Sequence, residues 1–173
     1  MRMHSGHVVD LANPHPEDIR LDDVAYHLAH ITRWTGAGPF TDAQHCVMVS
    51  HLVPWYARHW GFLHDAEEAY VGDVGHSLKG LLGSAYTDIS LAWRRAVSER
   101  FEIPECDVKQ ADDEAALIEA TWQWPHLTPA DVGLGPFTRP VIMLQIQSMA
   151  IDPLSARDAE ELFLARARHL GIK

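Results

Sequence analysis

The sequence predicts an all-α fold, a helical bundle of six or seven helices. Three observations predict it. Apolar residues recur every three or four positions in several stretches, as at Val24, Leu28 and Ile31. Start and stop signals bracket those stretches. Sustained alternation of apolar and polar residues, the mark of a half-buried strand, is absent. At 173 residues and 47% hydrophobic, the chain can bury a sizeable core, and residues 1–173 are expected to form one domain.

The elements follow in order. Residues 4–19, "HSGHVVDLANPHPEDI", are punctuated by Gly, Asn and Pro and read as an extended piece, with a short N-terminal hairpin as one option. A helix begins at Asp22 and stops at "WTGAGPF". Thr41 with Gln44 three residues on has the pattern of a capping box and opens a second helix, which Pro54 kinks or restarts. "FLHDAEEAYVGD" reads as a short helix ending near Gly72, and "VGHSLKGLLGS" as a loop. Helices are expected at 85–101, 107–124 and 155–170, and another in "TRPVIMLQIQSMA" with Pro140 in its first turn.

Composition excludes several function classes. A net charge of −10 argues against a binder of duplex nucleic acid, which needs a basic face. No apolar run approaches the ~18 residues of a membrane span. The N-terminus lacks the apolar core of a signal peptide, so a cytoplasmic location is expected. Cys46 and Cys106 are too isolated for a disulfide framework or a thiolate metal site and read as reduced filler. The zinc-protease HExxH motif, the Walker phosphate loop and the GxSxG elbow are all absent.

The stretch that asks for an explanation is "LHDAEEAYVGDVGHSLK", residues 63–79. His64 and Asp65 stand in an apolar, alanine-rich run where burial of an unpaired carboxylate is costly, so a cation is expected beside them. Glu68 projects to the same side of a helix, whereas Glu67 reads as solvated surface. His45 begins an inward-facing stripe continued by Val49 and Leu52, and Asp112 borders the apolar side of its own helix. Two imidazoles and two carboxylates suit a divalent first-row ion such as Mn, Fe, Co or Zn. From the residues alone, ordinary polar surface stands as an equal alternative. The pairs His4/His7 and His27/His30 have no acid to complete a ligand set and read as surface residues. Trp55, Trp60, Trp93, Trp122 and Trp124 read as core or subunit-contact residues.

The order His45, His64–Asp65, Asp112 resembles the metal-ligand pattern of the HD-domain phosphohydrolase superfamily. "RW" at 33–34, "AQHCVMVSHL" at 43–52, "LHDAEEAYVGDVGHSLK" at 63–79 and "VKQADDEAAL" at 108–117 are similar to the branch of bacterial deoxyribonucleoside 5′-nucleotidases and phage dATP triphosphohydrolases. The segment "DLANPHPEDIRLDDVAYHLAHITRW" resembles the phage-type members, and the likeness covers roughly residues 8–120. It implies a compact HD-type bundle with His45, His64, Asp65 and Asp112, rather than Asp113, as ligands of a divalent ion (Co, Mn, Zn, Fe or Mg). It implies Glu68 and Asp73 as acids needed for activity, and Arg33 and Lys79 near phosphate. Trp34 is implied to favour 2′-deoxyribose by filling the space of a 2′-hydroxyl. One departure stands out. Family members often carry proline where this chain has Gly75 or His76, which is expected to loosen the placement of Lys79.

The expectation is therefore a metal-dependent hydrolase of small deoxynucleotides, without a nucleic-acid duplex or membrane partner, and a homo-oligomer. A triphosphohydrolase releasing deoxynucleoside and triphosphate from dATP is the first reading, and a 5′-nucleotidase the second. A nucleotide-sensing module without turnover and a helical interaction protein without a site are the non-enzymatic alternatives.

Overall fold

The computed structural model of the protein describes residues 1–133 and 152–173. They form an all-helical structure whose only extended pairings are two isolated antiparallel bridges, Arg2 with Val8 and Thr32 with Thr41. Among the described residues seven helices are longer than one turn: α1 (Leu21–His30), α2 (Asp42–Leu52), α3 (Arg58–Leu63), α5 (His76–Leu82), α6 (Ser84–Phe101), α7 (Lys109–Gln123) and α8 (Ala156–Leu170). A single turn, α4 (Glu68–Val71), lies between α3 and α5. The helix expected in "TRPVIMLQIQSMA" lies outside the described residues. No helix among the described residues is long and apolar enough to cross a membrane.

Local sequence explains most of the boundaries. Thr41 caps α2 by accepting the Gln44 backbone N–H at 3.3 Å. Gln44 does not reach back to close the box. Its amide instead donates to Asp152 O and accepts from Leu154 N–H, which ties the approach of α8 to the start of α2. Pro54 separates α2 from α3 through a 3-10 turn at Trp55–Ala57. Ser155 caps α8 through the Asp158 N–H, and Gly171 in the left-handed region closes it.

Two stretches differ from their sequence reading. "FLHDAEEAYV" is not one helix: α3 ends at Leu63, His64–Glu67 form a turn, and α4 follows. "HSLKGLL", expected to be a loop, is helix α5. It buries none of its residues, so it offers no apolar stripe to read. At the N-terminus, Met3 N–H donates to His7 O around Gly6 in a hairpin-like turn with no paired strands.

Helix α2 is the centre of the bundle, with every residue from Asp42 to Ser50 buried. It is enclosed by α1, α3, α7 and α8. One apolar cluster, including Leu28, Phe62, Trp93 and Phe163, fills the side facing α1, α6 and α8. A second, including Phe40, Val49, Trp60 and Ile118, fills the side facing α3 and α7. A helix buried all round has no solvent face for polar side chains. Asp42, Gln44, His45 and Ser50 must therefore find partners inside the protein, and the site grows from that requirement.

Candidate metal centre and adjoining pocket

Four segments bring the site together. Arg33 and Trp34 sit in the loop between α1 and α2, pinned by Arg33 N–H to Phe40 O at 2.9 Å and Asp42 N–H to Ile31 O at 3.1 Å. His45 projects from α2. His64 and Asp65 occupy the turn between α3 and α4, and Asp112 lies on α7.

Coordinating atoms of His45, His64 and Asp65 lie within 4.8 Å of one another. His45 Nε2 is 3.1 Å from Asp112 Oδ1 and 3.8 Å from Asp65 Oδ2. His64 Nε2 is 3.1 Å from Asp65 Oδ2, yet it is buried and forms no hydrogen bond. Asp113 turns away to Lys109, so Asp112 is the aspartate that faces the imidazoles. All four residues in the expected ligand set are thus brought together.

The tautomers follow from the partners. His45 Nδ1 faces Glu119 Oε1 at 2.7 Å, and His64 Nδ1 faces Gly61 O at 3.0 Å. A carboxylate and a carbonyl can only accept, so both Nδ1 atoms donate, and both Nε2 atoms turn towards the carboxylates. Metal-ligating histidines are held in this way, the ring's other nitrogen donating to a carboxylate or backbone oxygen. Two oriented imidazole nitrogens, one of them buried without a hydrogen bond, and two carboxylates are a donor set that fits a divalent ion.

Glu119 was not singled out from the sequence. It is fully buried, accepts from Arg33 Nε and Trp34 Nε1 at 3.2 Å each, and holds His45. Its signal was its position seven residues after Asp112, two turns along the same face of α7. Asp42 was missed as well. It is fully buried, lies 3.5 Å from Arg33, and leaves Oδ2 without a partner.

Asp42 gathers with Glu68 and Asp73 into a second acidic group. Arg33 joins the two groups, its Nη1 lying 3.9 Å from Asp65 Oδ2. Lys79 donates to Glu68 Oε1 at 3.2 Å, leaving Glu68 Oε2 buried and unpaired. Lys79 has this partner in a chain that carries Gly75 or His76 where the resembled family often has proline. Glu67, expected on the surface, is buried at 5% exposure. It follows the buried Trp60 and Leu63 at helical spacing, and that stripe was the signal of its inward direction.

Charge balance is tight. Burial and Arg33 oppose protonation of His45, but Glu119 and Asp112 outweigh them and lift its pKa to about 9. Burial would raise Asp112, yet the hydrogen bond and charge of His45 bring it down to about 2. Burial pushes Asp42 up to about 7 against the pull of Arg33, and lifts Glu67 to about 8 with the help of Asp65. Glu68 is raised well above the usual carboxylate range by burial and by Asp65, Asp42 and Asp73. Asp65 lies well below it because His64, His45 and Arg33 outweigh its desolvation.

A pocket of about 530 Å³ opens beside these acids, and Arg33, Trp34, Thr35, Asp73, His76 and Trp124 are among the residues that line it. Trp34 and Thr35 have φ of 59° and 56°, the left-handed region that bulky and β-branched residues avoid. Such strain costs roughly 1–3 kcal/mol per residue and persists where surroundings over-determine it. Here Trp34 Nε1 donates to Glu119, and Gly38 lets the ring approach so closely that a Cβ would stand 3.1 Å from Trp34 Cδ1.

The other histidine pairs sit away from these acids. His7 pairs with Asp18, His4 stacks on Tyr26, and none of these joins a metal-like group among the described residues. Cys46 and Cys106 are both free thiols.

No family model matches the chain. It is similar to two curated proteins, both without an assigned role. Uncharacterized protein YfdR of Escherichia coli K12 is 34% identical over 101 residues, 56% of each chain. Uncharacterized protein RCAP_rcc00048 of Rhodobacter capsulatus is 33% identical over 137 residues, 69% of this chain and 70% of the relative. With one third of its residues shared over more than two thirds of both lengths, the chain belongs to the same family as the Rhodobacter capsulatus protein.

Proposed function

We propose that the chain is a metal-dependent phosphohydrolase of the HD type acting on 2′-deoxynucleotides. The observation that carries this reading is the convergence of His45, His64, Asp65 and Asp112, with His64 Nε2 buried and lacking a hydrogen bond, beside a pocket that also presents Arg33. These four residues would hold the ion. When bound, a divalent ion supplies Lewis-acid polarisation of a phosphoryl oxygen and lowers the pKa of a coordinated water.

The chain's own residues supply the rest. Arg33, held by Glu119, Asp42 and Asp65, presents a planar guanidinium to phosphoryl oxygens and offsets charge developing there. Lys79 adds a second cation from α5. Glu68 keeps one oxygen on Lys79 and the other free of partners, and Asp73 borders the pocket, so either can orient the water or move a proton. Trp34 is held rigidly next to Arg33 and would exclude a 2′-hydroxyl by filling its space.

In the triphosphohydrolase form of the reaction, water attacks the α-phosphorus of dATP. The bond from that phosphorus to the 5′ oxygen breaks, and the 5′ oxygen takes a proton as deoxyadenosine leaves. The resemblance to phage-type sequences in residues 10–34 favours this form over the monophosphate reaction. Phosphorus NMR of manganese-loaded protein with dATP and with dAMP separates them. Triphosphate release supports the first form, and phosphate from dAMP selects a 5′-nucleotidase. Binding of both nucleotides without turnover sinks the enzymatic reading and leaves a nucleotide sensor.

A further inference from the structure

The sequence reading placed Trp124 among core or subunit-contact residues. The structure puts it on the wall of the pocket beside the acids. Trp124 lies just beyond the end of α7, is only half-buried, and lines the same pocket as Trp34, Arg33 and Asp73. The two indoles are edge-on, with ring centroids 5.3 Å apart and planes at 89°. They make a right-angled aromatic corner.

The two walls of this corner are held differently. Trp34 is locked by its left-handed backbone, by its hydrogen bond to Glu119 and by close contact with Gly38. The half-buried Trp124 meets it through a ring contact, and its indole N–H makes no hydrogen bond among the described residues.

We infer that Trp124 is the residue that recognises a nucleobase: a planar heteroaromatic ring stacks on one wall of the Trp34–Trp124 corner while its sugar phosphate runs towards Arg33. The inference rests on the nucleotide reading above and deepens it by naming the residue that reads the ring. A flat ring fits a right-angled corner in which it stacks on one indole and meets the other edge-on, both favourable geometries. Arg33 lies 3.9 Å from Asp65 of the proposed ligand set, Trp34 is its chain neighbour, and Trp124 packs on Trp34, an order that suits the phosphate, sugar and base of a nucleotide. Exposure alone does not single out Trp124. Trp55, at 76% exposure, is more open to solvent, yet it does not line this pocket.

Calorimetry with the intact, manganese-loaded chain tests the inference, using the non-hydrolysable 5′-methylenephosphonate analogue of dAMP and the corresponding abasic sugar phosphonate. Base stacking on an aromatic side chain predicts that the wild type prefers the base-bearing ligand by about tenfold to a hundredfold. Trp124→Ala removes that preference and leaves binding of the abasic ligand unchanged. Trp124→Phe keeps most of it, which separates loss of stacking from loss of folding, and Trp55→Ala keeps all of it. A wild type with no preference, or a Trp124→Ala protein that retains it, overturns the inference. Preference without any hydrolysis would sink the phosphohydrolase reading and leave this one standing. Hydrolysis without the preference would do the reverse.

Discussion

His45 on α2 and Glu119 on α7 meet across the bundle with Nδ1 and Oε1 2.7 Å apart, and neither side chain is exposed. This one contact sets the tautomer of His45, and through Glu119 Oε2 it also anchors Arg33 and Trp34. A single buried carboxylate thereby aligns a proposed metal ligand, a cation and an aromatic wall.

Glu119→Gln is expected to keep the shape and remove the charge. Without a carboxylate behind it, His45 loses basicity and orientation, and manganese affinity falls about 10- to 100-fold. Isothermal titration of manganese into the two proteins checks this. Equal affinities would mean that Glu119 serves packing alone.

His45 also predicts a pH dependence. Its folded pKa near 9 stands above the ordinary 6.5, so the folded chain binds more protons between those values. The stabilising contribution, on the order of 3 kcal/mol, is complete below about pH 6.5 and is lost as pH rises through 9. Asp42 and Glu67, lifted to about 7 and about 8 by burial, act in the same direction. Asp112, held down at about 2, matters only in acid, where its contribution is lost as pH falls below the usual 3.8. Urea midpoints of chelator-treated protein should therefore fall from pH 6.5 to pH 9. His45→Gln should flatten part of that slope, and an identical slope in the variant would contradict the assignment.

Trp93 tests the packing that supports the site. It is fully buried, stacks on Tyr70 at 4.0 Å and donates to Leu11 O at 3.0 Å, joining α6 to α4 and to the N-terminal segment. Trp93→Ala should cost about 3–5 kcal/mol through the cavity and the lost bond. Trp93→Phe should cost less, because the stack survives. Equilibrium urea unfolding gives both values, and a loss below ~1 kcal/mol for the alanine variant would show that this face repacks freely.

How far the sequence revealed this structure depends on what each segment buries. Helices α1, α2, α6, α7 and α8 were legible because they combine helical spacing with caps and breakers such as Thr41, Pro54 and Ser155. Helix α5 was not, since Gly75, Gly80 and Gly83 punctuate it and none of its residues is buried. The turn at His64–Glu67 was hidden by its helix-forming residues, whereas the inward direction of Glu67 was readable from its spacing to Leu63 and Trp60. His45, His64, Asp65 and Asp112 could be picked out because polar groups stood where apolar ones belonged. Asp42 gave no such signal, because an acid in the first turn of a helix is ordinary. Glu119 lay within "ALIEATW", where a lone glutamate looks like helix surface until α2 is packed against it.

The account rests on a cation held between α2, α7 and the turn after α3. Elemental analysis of protein purified without chelator, followed by manganese titration, measures this directly. The account predicts at least one divalent ion per chain, retained by Lys109→Ala and lost in both His64→Ala and Asp65→Asn. A folded wild type that neither carries a transition ion nor binds manganese would contradict it.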